Sequence, residues 1–166
     1  DLLIYNLRSP GEQRQGPPAA VYTALPPRKA GRGRSLDRLI LYLTIRGNAQ
    51  LESKEQNELL ERMARLYYKT NGSVTYATRR LAEELNKIFV DRNLRSASQG
   101  LRMIGWLAVI VMRPGSIYLA QCGPLHAFFT GEKGSQHLYE AGESERGLGQ
   151  SRTVIVRYQQ FEPRPK

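Results

Sequence analysis

The chain has 166 residues, 40% hydrophobic and 24% charged, and its 25 Lys and Arg against 15 Asp and Glu leave a net charge of +10. That is the size of one ordinary domain, enough to bury a single core, and no apolar run approaches the roughly 20 residues that cross a bilayer as a helix. The only cysteine, Cys122, excludes an internal disulfide, so the expectation is a water-soluble protein in the cytoplasm.

The start, Asp1-Leu2-Leu3-Ile4-Tyr5, has neither a Met nor the basic opening of a signal peptide and reads as part of a longer chain. Of the 25 basic residues 19 are Arg, and residues 1–50 hold eight basic against three acidic side chains. The planar guanidinium fork suits phosphate and carboxylate better than the ammonium of Lys, which favours an anionic partner. The plainer reading is a solvated basic surface.

Leu2 to Leu7 reads as a short apolar strand. From Arg8 to Arg34 follow Pro10, Pro17, Pro18, Pro26 and Pro27 among Gly11, Gly16, Gly31 and Gly33, a composition in which regular structure does not persist. A flexible Pro/Gly/Arg-rich loop is expected over residues 8–35, with only Ala19 to Leu25 resting on a surface. Asp37 to Arg46 is dense in Leu, Ile and Tyr and predicts a strand covered on both faces, ended by Gly47-Asn48.

Two helices come next. Ser53 and Gln56 have the spacing of a capping box, Leu59, Met63, Leu66 and Tyr67 mark an apolar face, and Asn71-Gly72 supplies the stop. Ser73 is the expected N-cap of the second helix, whose stripe of Ala77, Leu81, Leu85 and Ile88 runs to near Asn93. So short a turn makes the helices antiparallel neighbours that need a sheet to cover their joint apolar face.

Beyond Arg102 the run Ile104 to Met112 is continuously apolar, closes on a Pro114-Gly115 turn, and predicts the central strand. Ser116 to Cys122, His126 to Thr130 and Gln136 to Tyr139 continue as an antiparallel meander through the Gly131-Glu132-Lys133-Gly134 hairpin. After a polar loop, Thr153 to Phe161 alternates as a last strand, and Pro163 and Pro165 lie in a C-terminal tail, 162–166. The expected fold is α+β: an antiparallel sheet or sandwich layered with an antiparallel helical hairpin, in one domain spanning residues 1–166.

The cadence Gly115-Ser116-Ile117-Tyr118-Leu119-Ala120-Gln121-Cys122-Gly123-Pro124-Leu125-His126-Ala127-Phe128 resembles a segment of the metal-dependent protein serine/threonine phosphatases of the 2C type, where such a strand follows a helix pair and a buried strand. The resemblance covers roughly Leu36 to Tyr139 and implies a β-sandwich flanked by antiparallel helices. It also implies where a metal site would lie. Where that family carries the aspartate of a Gly-Asp-Ser-Arg turn this chain has Pro124, with Leu125 and His126 next. Where an Asp-Gly motif would end the earlier strand it reads Ile45-Arg46-Gly47.

Those phosphatases hydrolyse phosphoesters with two divalent ions held by aspartates, whereas this chain has Asp1, Asp37 and Asp91 alone, spread along its length. The resemblance therefore implies a degenerate, truncated member with no metal and no other cofactor. An incomplete sheet edge would pair with another segment or a second copy. The expected function is that of a catalytically inactive module in protein interaction or regulation, with a protein partner or a homo-oligomer. One alternative is an active metal-dependent phosphoprotein phosphatase completed by further chain.

Other candidates are weaker. Cys122 and His126 could pair as nucleophile and base, but a small buried cysteine accounts for Cys122 equally well. Glu140, Glu143 and Glu145 could hold a hard cation or simply be solvated. Gly147 to Arg152 has the glycine content of a phosphate loop, yet no strand-to-helix context, and reads as a strand-linking loop. The tract with Arg28, Lys29, Arg32 and Arg34 places four cations in seven residues and makes nucleic acid or an anionic surface the second alternative, without aromatics for base stacking.

Overall fold

The computed structural model describes residues 20–131, 134–138 and 146–162. The strand expected at Leu2 to Leu7 and the tail beyond Glu162 lie outside them. Five strands, β1 (Ala20–Ala24), β2 (Arg38–Gly47), β3 (Met103–Arg113), β4 (Ser116–Cys122) and β7 (Arg157–Phe161), form one antiparallel sheet in the order β1-β2-β3-β4-β7. A separate hairpin joins β5 (Phe128–Gly131) to β6 (Gly134–His137). Helices α1 (Ser53–Lys69) and α2 (Val74–Ser96) cover one face of the sheet, and a 3-10 turn, Ala97–Gln99, follows α2.

The central position of β3 follows from its composition. Alternate side chains Met103, Leu107, Val109 and Val111 are buried beneath the helices, beside Leu39, Leu41, Leu43 and Ile45 of β2. From above, α1 contributes Leu60, Met63 and Tyr67, and α2 contributes Ala77, Leu81, Leu85 and Phe89. Leu59, Leu66 and Ile88, expected on these apolar faces, are half-buried, and Leu60 and Phe89 hold the deeper positions. Gly105 interrupts the β3 series because Phe89 fills its space: a Cβ there would lie 2.8 Å from the Phe89 ring.

Three expectations are corrected. Ser53 is not the N-cap of α1. Glu52 holds that place without a side-chain cap, and Gln56 turns inward, its Nε2 donating to the Leu51 carbonyl at 2.9 Å. Burial of the Gln56 side chain against Leu51 outweighed the capping pattern. Ser73 does cap α2, accepting from the Tyr76 amide at 3.0 Å.

The second correction concerns the stretch read as a flexible loop. Its residues 20–24 form β1, because Ala20, Tyr22 and Ala24 alternate onto the helix face and pair with β2 from Leu39 to Leu43. Residues 25–37 are tied to the end of α1 through Gly31 N to Tyr68 O at 2.7 Å and Arg32 N to Asn71 Oδ1 at 3.0 Å.

Third, the last strand begins at Arg157 and not at Thr153. Val154 and Val156 instead pack half-buried against the core, outside the ladder.

Candidate functional site

The register of β2, β3 and β4 brings both positions singled out by the family resemblance to one end of the sheet. Arg46 pairs with Ile104 near the start of β3, and the pairing of β3 with β4 stops at Leu107 and Cys122, just before Gly123 and Pro124. Trp106, the only tryptophan, stands between them. The Arg46 guanidinium lies over its ring, 4.8 Å from the centroid. On the other side the backbone of Gly123, at φ +87°, approaches so closely that a Cβ would fall 2.7 Å from the Trp106 ring.

Gly147 closes the remaining edge, since a Cβ there would meet the Gly105 carbonyl at 2.6 Å and Trp106 at 2.9 Å. Arg157 is buried behind this cluster and donates from its guanidinium to the Gly123 carbonyl at 2.6 Å. The end of the sheet is thus a stack of one guanidinium, one indole and two close-lying backbones. Its chemistry is cation–π attraction and van der Waals packing.

Such a stack does not fit a pair of divalent cations. Oxygen-rich carboxylate ligation is what hard cations demand, and here the stack presents a guanidinium and an indole between two glycine backbones. Among the described residues no three His, Cys, Asp or Glu side chains gather.

The remaining sequence candidates are dispersed. Cys122 faces the helices, 1% exposed, and burial pushes its thiol up to about 12, the opposite of an activated nucleophile. His126 lies in the following loop, where its Nδ1 meets His137 Nε2 at 3.0 Å and the two rings stack. Glu140, Glu143 and Glu145 lie outside the described residues. Gly147 to Arg152 is a loop pinned from below: Leu148 pairs with Gly105 in a single bridge, and Asn86 Oδ1 accepts from the Gly149 amide at 2.8 Å.

The basic tract splits. Arg28, Lys29 and Arg32 are exposed, but Arg34 is 1% exposed and serves the fold. Its guanidinium donates to the carbonyls of Thr70, Gly72 and Ser73 at 3.2, 2.9 and 2.7 Å and pairs with Asp37 at 3.4 Å. An external anion cannot reach it, which corrects its place among the four.

Asp37, read from sequence only as the start of a strand, is the hub of this second cluster. It accepts from the Tyr67 hydroxyl at 2.6 Å and from Arg113 at 2.6 Å, while its backbone carbonyl accepts from the Tyr68 hydroxyl at 2.8 Å. No local pattern marks it, because its partners come from α1 and the far end of β3.

No family model matches the chain, and no curated protein matches it. Solved structures do. A serine/threonine phosphatase of S. agalactiae superposes with a TM-score of 0.70 over 92% of this chain and 71% of that one, at 13% identity. The chain has the fold of the 2C-type (PP2C-like) protein phosphatases. Serine/threonine phosphatase Stp1 from Staphylococcus aureus gives a TM-score of 0.61 at 10% identity, covering 93% of this chain and 76% of that one. PppA of Pseudomonas aeruginosa, described as a key regulatory component of T6SS, gives 0.59 at 11% identity, covering 89% and 72%.

Proposed function

We propose that the chain is a catalytically silent 2C-type phosphatase module that works by binding, in protein interaction or regulation. The observation that carries this reading is the Arg46 guanidinium seated on Trp106 where the family resemblance calls for an aspartate ligand. A positive charge there opposes divalent ions at short range: for an exposed group such as Arg46 the repulsion is about 1 kcal/mol per unit charge pair at roughly 4 Å in bulk water and of order 4 kcal/mol near a protein surface. The sheet face away from the helices supports the interaction half of the proposal, since Ile40, Tyr42, Ile110 and Met112 are only half-buried on it. A protein partner or a second copy would complete their burial.

The test is hydrolysis of p-nitrophenyl phosphate and of a phosphoserine peptide with manganese, with and without chelator. No chelator-sensitive turnover is expected. Turnover that needs manganese and is abolished by chelation overturns the reading in favour of an active phosphatase. Light scattering across a concentration series reads self-association in the same preparation.

Anion binding is the second reading, now resting on Arg28, Lys29 and Arg32. All three are exposed on a turn anchored to α1, beside Lys69 at its last turn. Binding to single-stranded nucleic acid through them would weaken with a log–log salt slope of about −0.7 per phosphate neutralised. Neutralising the three residues should flatten that slope, and a slope that stays unchanged removes the reading.

A further inference from the structure

A groove of ≈ 450 Å³ opens beside the last turns of α2, bounded by the start of β3 and the pinned loop that ends at Arg152. Its lining combines two chemistries. Val90, Leu94 and Leu101 supply apolar surface, with Leu94 64% and Leu101 37% exposed. Arg102 and Arg152 line it as well, both exposed, and neither guanidinium has a hydrogen bond or ion pair among the described residues. Among the described residues no acidic side chain lines the groove.

The groove is built and not incidental. Asn93 Nδ2 donates to the Met103 and Gly149 carbonyls at 2.8 and 3.1 Å, and its Oδ1 accepts from the Met103 amide at 2.8 Å. Asn86 Nδ2 donates to the Ser151 and Arg152 carbonyls at 2.9 and 3.3 Å. These two side chains spend their hydrogen bonds fixing the loop to the helix and the strand, so the groove is preformed. A preformed, partly apolar concavity with a few convergent polar groups is what small-ligand sites have in common, at roughly 300–1,000 Å³.

We propose that this groove binds a small organic carboxylate: an anionic head held by Arg102 and Arg152 and an apolar body laid over Leu94 and Leu101. A guanidinium fork matches the two oxygens of a carboxylate, and the groove offers two of them. The exposed leucines give the ligand's body apolar surface to cover. A folded protein partner fits less well, because specific protein interfaces bury about 1,600 Å² in all and need a broad surface.

The test uses the full chain and three probes by titration calorimetry: octanoate, octanol and acetate. Octanoate is expected to saturate in the millimolar range or below, with octanol and acetate each weaker by about tenfold or more, since a charge-assisted hydrogen bond and the apolar contact each contribute that much. Arg102→Gln with Arg152→Gln should weaken octanoate at least tenfold with no change in melting temperature, because among the described residues these guanidiniums hold nothing else. Leu94→Ser, at an exposed position, should weaken it severalfold. Octanol binding as well as octanoate, a double variant that binds normally, or no binding of octanoate at all would each overturn the proposal.

Discussion

The guanidinium of Arg46 lies 4.8 Å from the centroid of the Trp106 ring, across the β2–β3 pair and opposite the Gly123 backbone. Trp106 is half-buried there, with Arg46 as its outer cover. Arg46→Ala should therefore cost little stability, about 0.5–1 kcal/mol for an exposed cation–π pair, while making the indole more accessible to water. As the single tryptophan, Trp106 reports this directly. Emission should shift to the red and acrylamide quenching should rise; an unchanged spectrum would argue against the stacked arrangement.

The close backbone on the other side of the indole leads to a sharper contrast. Gly123 and Gly33 both have positive φ, +87° and +80°, but a Cβ at Gly33 meets nothing within 4 Å while one at Gly123 collides with Trp106. Gly33→Ala is expected to cost about 1 kcal/mol, the backbone term alone. Gly123→Ala adds the steric term, for a total of about 2–4 kcal/mol. Urea unfolding of the two variants side by side measures the difference.

Asp37 and Arg34 form a buried charge pair, 0% and 1% exposed, within a hub shared with Tyr67, Tyr68 and Arg113. Removing one charge strands the other away from water. Asp37→Asn is expected to destabilise by about 3–5 kcal/mol. Tyr67→Phe, which removes one donor and leaves the charge pair, should cost about 1–2 kcal/mol. Chemical denaturation orders the two, and equal effects would show that the charge pair is not the dominant member.

Stability should also fall at alkaline pH. Burial, opposed in part by Arg157, raises the Cys122 thiol from 9.0 to about 12, and burial with the charge of Asp37 raises the Tyr68 hydroxyl from 10.0 to about 12. A raised pKa in the folded state means that the unfolded chain releases its proton first. The contribution is intact below pH 9 and is lost as pH climbs toward 12. Urea midpoints should decline over that window, with a later onset in Cys122→Ala. A thiol reagent at pH 8 should label Cys122 only after unfolding.

The layered α+β arrangement was legible in the sequence because it rests on local periodicity. The stripe Ala77, Leu81, Leu85 needs no distant partner to declare a helix face, and the unbroken run from Ile104 to Met112 declares a central strand by composition alone. Ser73 announced its cap in the same way. The pairing of Ser53 with Gln56 misled because burial of Gln56 against Leu51 competes with capping, and sequence spacing carries no measure of that competition. Strand β1 was hidden for a related reason: prolines on both sides mask five residues whose ladder partner is supplied by β2.

Sequence by itself determined which residues stand at the two positions that the family resemblance singles out, Arg46 and Pro124. Tertiary structure alone decided that Arg46 and the Gly123 backbone meet across Trp106, that Arg34 turns inward to Asp37 while Arg28, Lys29 and Arg32 stay outside, and that Arg102 and Arg152 share one groove. The physical reason is range. Helix and strand periodicity is written over a few residues, whereas a stack, a buried charge pair or a groove joins side chains tens of residues apart, and only packing fixes which of them face each other.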